Sequence, residues 1–138
     1  MTAAEADAFV SDANVLIEWL TREPPTTVGQ AARRAAERGR IVGPSLLWAE
    51  VAHNVTKKAR GGELTSDQRT GALRGLDILG LELDDAGQRQ DVLTLALRHD
   101  FSVYDAFYLE VALRRRLPLA TNDRSLRRAA TAEGVPLV

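Results

Sequence analysis

Four carboxylates stand at positions where chemistry is a better reason for an acid than solubility. Asp12 closes the short apolar run Phe9-Val10 in AFVSDANVLI, and Asp123 follows the run Leu117 to Ala120 in LPLATNDRSL. Glu50, in SLLWAEVAHNV, comes four and three residues after Leu46 and Leu47, so at helical spacing it shares a face with apolar neighbours. Asp105, in FSVYDAFYLEVAL, comes four residues after Phe101, with Tyr108 and Leu109 three and four beyond it. Each acid alone has an ordinary explanation. Asp12 and Asp123 suit helix N-caps, Asp105 suits the positive end of a helix dipole, and Glu50 could pair with an arginine. None of these explanations requires the four to meet, whereas two strand-end aspartates and two acids on crossover helices predict convergence on one cleft. Carboxylates so gathered raise one another's pKa and destabilise the fold unless a cation joins them. With oxygen donors and no cysteine, the hard ions Mg²⁺ and Mn²⁺ fit best. A metal held this way activates water and stabilises a phosphodiester leaving group.

Short strands alternating with helices must position these acids. The sequence predicts a strand over Phe9 to Asp12 and a short helix from Asn14 to Leu20, ended by Pro24-Pro25. An Ala-rich helix in TTVGQAARRAAERG closes at Gly39, and the strand RIVGP leads to Ser45, read as the cap of a long helix through Arg60. Leu47, Val51 and Val55 recur every four residues along it, and Gly61-Gly62 ends it. A helix over 65–79, the strand LELDD, a helix in GQRQDVLTLALRHD and another opened by Ser102 follow. The strand Leu117 to Ala120, a last helix and a terminal strand VPLV complete the chain. This alternation implies a mostly parallel sheet covered on both faces, in which ligands bind at the carboxyl ends of the strands. Asp12 and Asp123 are expected there.

At 138 residues the chain is expected to form a single domain spanning 1–138, with a core that needs no disulfide. It has no cysteine, which removes thiol nucleophiles and Cys-ligated zinc together. The start, MTAAEADAFV, carries acids rather than a basic segment before a long apolar one, so no secretory signal is read and a cytoplasmic protein without membrane contact is expected. Net charge is −1, so nucleic-acid binding would depend on local clusters. Those beside the Asp123 motif, Arg114, Arg115 and Arg116 before it and Arg124, Arg127 and Arg128 after it, are the candidates to hold an RNA backbone.

VSDANVLIEWL, PSLLWAEVAHNV and VYDAFYLEVALRRRLPLATNDRSL together resemble the motifs of the PIN-domain nucleases, in particular the VapC-like toxins of bacterial toxin–antitoxin pairs, over nearly the whole chain. The resemblance implies a PIN-like three-layer α/β/α sandwich, an α/β fold with a central, mostly parallel sheet of short strands. It matches Asp12, Glu50, Asp105 and Asp123 to the family's metal site, Thr121 to the hydroxyl residue two before the last acid, and Asn14 to a position that often holds Ser or Thr. It implies a Mg²⁺- or Mn²⁺-dependent endoribonuclease leaving 5′-phosphate and 3′-hydroxyl ends on an RNA such as tRNA or rRNA. It further implies a VapB-like antitoxin partner and a homodimer, built with the antitoxin into a heterotetramer or larger assembly.

Rival readings are weaker. A catalytically inactive RNA- or metal-binding module of the same fold is opposed by the presence of all four acids. A phosphoacceptor receiver would need a lysine after the last core strand, and none follows Lys58. A haloacid-dehalogenase-like phosphatase would need an acid where Asn14 stands. His53 and His99 are read as core or surface residues rather than acid–base catalysts, and Trp19 and Trp48 as core or dimer-interface residues.

Overall fold

The computed structural model describes residues 7–138, so the acidic start of the chain lies largely outside the described part. Four short strands, β1 (Phe9–Ser11), β2 (Ile41–Gly43), β3 (Glu82–Leu83) and β4 (Leu119–Ala120), form one parallel sheet in the order β3-β2-β1-β4. The expected terminal strand is reduced to a single parallel bridge from Leu137 to Leu119 of β4. Between and after the strands run α1 (Ala13–Leu20), α2 (Thr27–Ala36), α3 (Ser45–Arg60), α4 (Ser66–Leu79), α5 (Arg89–His99), α6 (Val103–Arg115) and α7 (Arg124–Ala132).

This order separates the helices into two layers. From β1 to β2 to β3 the chain steps in one direction across the sheet, and from β3 to β4 it steps back past β1. Right-handed crossovers then place α1 to α4 on one face and α5 and α6 on the other. The packing agrees, because α1 touches α2, α3 and α4, whereas α6 lies on α5, α7 and β1. The chain is therefore the α/β sandwich expected. Its core is filled by Phe9 and Val10 of β1, Leu47, Val51 and Val55 of α3, Leu109 of α6, Leu119 of β4 and Leu126 of α7, all fully buried. Each such side chain stabilises the fold by roughly 1.5–3 kcal/mol.

Two helix starts depend on residues remote in sequence. Ser45 does not cap α3: Pro44 occupies the cap position without a side-chain bond, and Ser45 is the first helical residue. Asp85, just beyond β3, accepts from the Ser45 amide at 2.9 Å and from its hydroxyl, so an acid from another segment satisfies the helix end. At α2, Thr26 is the N-cap and accepts the Gly29 amide at 2.9 Å, while the Thr26 amide donates to Glu18 Oε1 of α1 at 2.8 Å. A glutamate three residues after the cap would ordinarily make that second bond, as Gln68 does for Thr65 at α4. Here Gly29 occupies that position, and a Cβ on it would stand 1.5 Å from Glu18 Oε2. The missing side chain makes room for a carboxylate supplied by α1.

The tryptophans divide. Trp19 packs against the core and donates from Nε1 to the Gly29 carbonyl at 3.0 Å. Trp48 is half exposed on the flank of α3 away from Glu50 and is not a core residue. Among the described residues, no helix is long and apolar enough to cross a membrane.

Candidate functional site

The sheet reverses its strand order between β1 and β4, and Asp12 and Asp123 follow these two neighbouring strands. Such a switch point opens a crevice beyond the carboxyl ends of the strands. Both aspartates are also N-caps. Asp12 Oδ1 accepts the Val15 amide at 3.1 Å, and Asp123 Oδ1 accepts the Leu126 amide at 2.9 Å. The capping explanation thus holds and leaves the second oxygen of each carboxylate for other work.

Thr121, fully buried, connects the two strand ends. Its hydroxyl donates to Asp12 Oδ2 and accepts the Asp123 amide at 3.0 Å. A strand ending in Thr-Asn-Asp therefore delivers one acid to the edge and fastens another. Asn122, between them, donates from Nδ2 to Thr26 Oγ1 at 3.1 Å and ties this turn to the start of α2.

The two helical acids come from opposite layers. Glu50 lies in the second turn of α3, which leaves the carboxyl end of β2, and Asp105 lies in the first turn of α6, capped by Ser102. The Tyr108 hydroxyl donates to Glu50 Oε1 at 2.9 Å and joins the layers past the sheet edge. Burial pushes the Asp12 carboxyl above its ordinary pKa. The hydrogen bonds from Thr121 and Val15 pull it down, and the charges of Asp123 and Glu50 push it up again. Asp105 is raised by burial and by the charge of Asp123. Tyr108 is raised by burial and by the charges of Glu50, Asp12 and Asp105, so its hydroxyl remains a donor. The charge of Asp123 thus reaches both Asp12 and Asp105, and that of Glu50 reaches Asp12.

Cation chemistry suits this set, because among the described residues no lysine or arginine is ion-paired to any of the four acids. As the side chains stand, however, no three described Asp, Glu or His residues are gathered closely enough to hold a metal ion. Asp123 is exposed and Asp105 half-buried, whereas Asp12 is fixed by its two hydrogen bonds. The chemistry of the donors nevertheless fits a divalent cation.

Of the remaining candidates, Asn14 is exposed one residue into α1. Arg114 is held by Glu110 at 2.6 Å and Asp84 at 2.9 Å, and Arg115 by Glu82 and by Asp84 at 3.1 Å. The Arg114 hydrogen bond is the main reason the Asp84 carboxyl falls to about 2. Arg114 and Arg115 are thus committed to acids near β3, and with Arg116 they stand about 15 Å along α6 from Asp105. Arg127 donates to the Thr121 carbonyl at 2.8 Å, beside the site, and Arg124 and Arg128 are exposed on α7. His53 is exposed on α3, and His99 Nε2 lies 2.7 Å from Glu133, so neither joins the acids. Tyr108 is a buried core residue on the stripe beside Asp105. Its spacing from Asp105 was legible, but its bond to Glu50 spans 58 residues and has no local signal.

Comparison with known proteins places this geometry in context. The family model described as PIN domain matches residues 9–132. Ribonuclease VapC1 of Mycobacterium tuberculosis, from strains CDC 1551 / Oshkosh and ATCC 25618 / H37Rv, is 34% identical over 93 residues, 67% of this chain and 68% of the relative. The crystal structure of PAE2754 from Pyrobaculum aerophilum superposes with a TM-score of 0.69 at 23% identity, covering 94% of this chain and 83% of the other, a likeness of fold.

Proposed function

The chain belongs to the PIN domain family, and from that premise we propose that it is a Mg²⁺- or Mn²⁺-dependent endoribonuclease, the toxin of a VapBC-like pair. The reading is supported by the reach of the Asp123 charge to both Asp12 and Asp105 and of the Glu50 charge to Asp12, with no lysine or arginine ion-paired to any of the four among the described residues. Asp12, Glu50, Asp105 and Asp123 would hold the cation. When bound, it lowers the pKa of water and neutralises charge on the cleaved phosphodiester. Thr121 keeps Asp12 in place and the Asp123 amide satisfied, and Asn14, at the mouth of α1, orients water or substrate. The RNA backbone is held by the arginines nearest the site, Arg124, Arg127 and Arg128. Arg116 lies farther off, and Arg114 and Arg115 must leave their acidic partners to take part. Reading of the RNA rests on unpaired bases, so loops of tRNA or rRNA are the substrate class. The antitoxin is a VapB-like protein that places an Arg or Lys among the same acids, on a cytoplasmic homodimer.

Incubation of the protein with total tRNA and rRNA in Mg²⁺, in Mn²⁺ and in EDTA, with the ends mapped, tests this. The expected result is discrete internal cleavage leaving 5′-phosphate and 3′-hydroxyl ends, absent in EDTA. RNA binding without cleavage would favour the inactive-module reading, and cleavage indifferent to EDTA would overturn the metal dependence.

Asp123→Asn separates ligand from cap. Asparagine caps helices about as well as aspartate, so stability should stay within ~0.5 kcal/mol. Loss of the charge should lower Mg²⁺-dependent cleavage at least ~10-fold. Full cleavage with a reduced melting temperature would make Asp123 a cap alone.

A further inference from the structure

Tyr108 stands one turn beyond Asp105 on α6, its ring 2% exposed and packed in the core. Its hydroxyl is the one side-chain group that hydrogen-bonds the Glu50 carboxylate among the described residues, at 2.9 Å. The bond is buried at its Tyr108 end and joins helices from opposite faces of the sheet. A glutamate has three rotatable bonds and loses on the order of 1.5–2 kcal/mol of rotamer freedom when fixed. A tyrosine anchored by its ring has only two, already set by packing, and so makes a stiff post against which a flexible acid can be held. Resting on the metal-site reading above, we propose that Tyr108 is a positioning residue that fixes the Glu50 carboxylate through Oε1 and leaves Oε2 to face a divalent cation.

Outer partners of metal ligands typically contribute 10- to 100-fold in affinity or activity. Tyr108→Phe keeps the ring and removes only the hydroxyl. Mn²⁺ titration of the full chain followed by electron paramagnetic resonance should show affinity ~10-fold weaker than wild type. RNA cleavage should show a lower kcat with KM for RNA unchanged. In a Glu50→Ala background the same substitution should change Mn²⁺ affinity by less than ~2-fold, since a post without its partner has nothing to hold. A second measurement leaves the residue intact: the Tyr108 ¹³Cζ resonance should shift when Mg²⁺ is added to wild type and stay still in Glu50→Ala. The assignment is overturned if Tyr108→Phe only melts earlier while binding Mn²⁺ like wild type, if its loss is as large without Glu50, or if the ¹³Cζ resonance ignores Mg²⁺. A wild-type protein that takes up no Mn²⁺ overturns the metal reading itself, whereas normal uptake with an indifferent Tyr108→Phe overturns the role of Tyr108 alone.

Discussion

Asp12→Asn is expected to reduce cleavage by at least ~100-fold, the equivalent of about 3 kcal/mol of lost electrostatic stabilisation, with only a small change in the stability of the metal-free fold. Asp12 is buried and its pKa lies above the ordinary value, chiefly through desolvation and further through the charges of Asp123 and Glu50. The sign is therefore the reverse of a salt-bridged acid: folding raises the pKa, so ionisation above the unfolded value of about 4 opposes folding. Neutralising the side chain removes that opposition and its amide oxygen keeps the bond from Val15, but its amide nitrogen replaces the oxygen that accepts the Thr121 hydroxyl, which must turn to accept instead. In EDTA the relief of the buried charge and the disturbed Thr121 bond oppose one another, so the variant should melt within a few degrees of wild type. A cation that binds only the folded protein raises its melting temperature, so Mg²⁺ should stabilise wild type and leave Asp12→Asn unmoved. Calorimetry with and without Mg²⁺ checks both. A variant that melts early and still cleaves would remove Asp12 from the site.

Thr121→Val should have the largest effect on stability. The substitution keeps the shape and removes the hydroxyl, which leaves Asp12 Oδ2 without its donor and the Asp123 amide without its acceptor. Each orphaned group costs about 1–3 kcal/mol, so a total of roughly 2–6 kcal/mol and a melting temperature lower by ~10 °C or more are expected. Thr121→Ser retains both bonds and gives up one buried methyl, about 1 kcal/mol. Denaturation of the two variants side by side distinguishes a hydrogen-bonding role from packing, and equal losses would mean packing.

The layers were legible because their signals are local. Period-four apolar residues mark α3, Ser102 marks α6, and polar runs mark the ends of β1 and β4. Asp12 and Asp123 could be placed at one edge because parallel strands deliver their carboxyl ends together, and the distribution of apolar neighbours singled out Glu50 and Asp105. What could not be read were partnerships between segments distant in the chain. Ser45 had the residue type of a cap, yet the chain turns through Pro44 and Asp85 arrives from beyond β3. Arg114 and Arg115, expected near the Asp123 motif to hold an RNA backbone, are instead engaged by Glu82 and Asp84, which β3 brings beside them. Trp48, read as core or dimer interface, is half exposed in the single chain, because the apolar stripe of α3 is set by Leu47, Val51 and Val55 and Trp48 falls to its flank. Tyr108 carried no mark of its bond to Glu50.

The borrowed start of α2 has a consequence for how the molecule breathes. A helix whose first amide is answered by a carboxylate from α1 cannot keep its end closed once α1 lifts away. The amides of Thr26 to Gly29 should then exchange with solvent at the same free energy of opening as those of α1, a single cooperative unit under hydrogen exchange. Asn122 is fastened to Thr26, so the turn that carries Asp123 loses one of its ties in the same event. Any partner that holds α1 against α2 would thereby quiet the site from a distance, with no contact to the acids themselves.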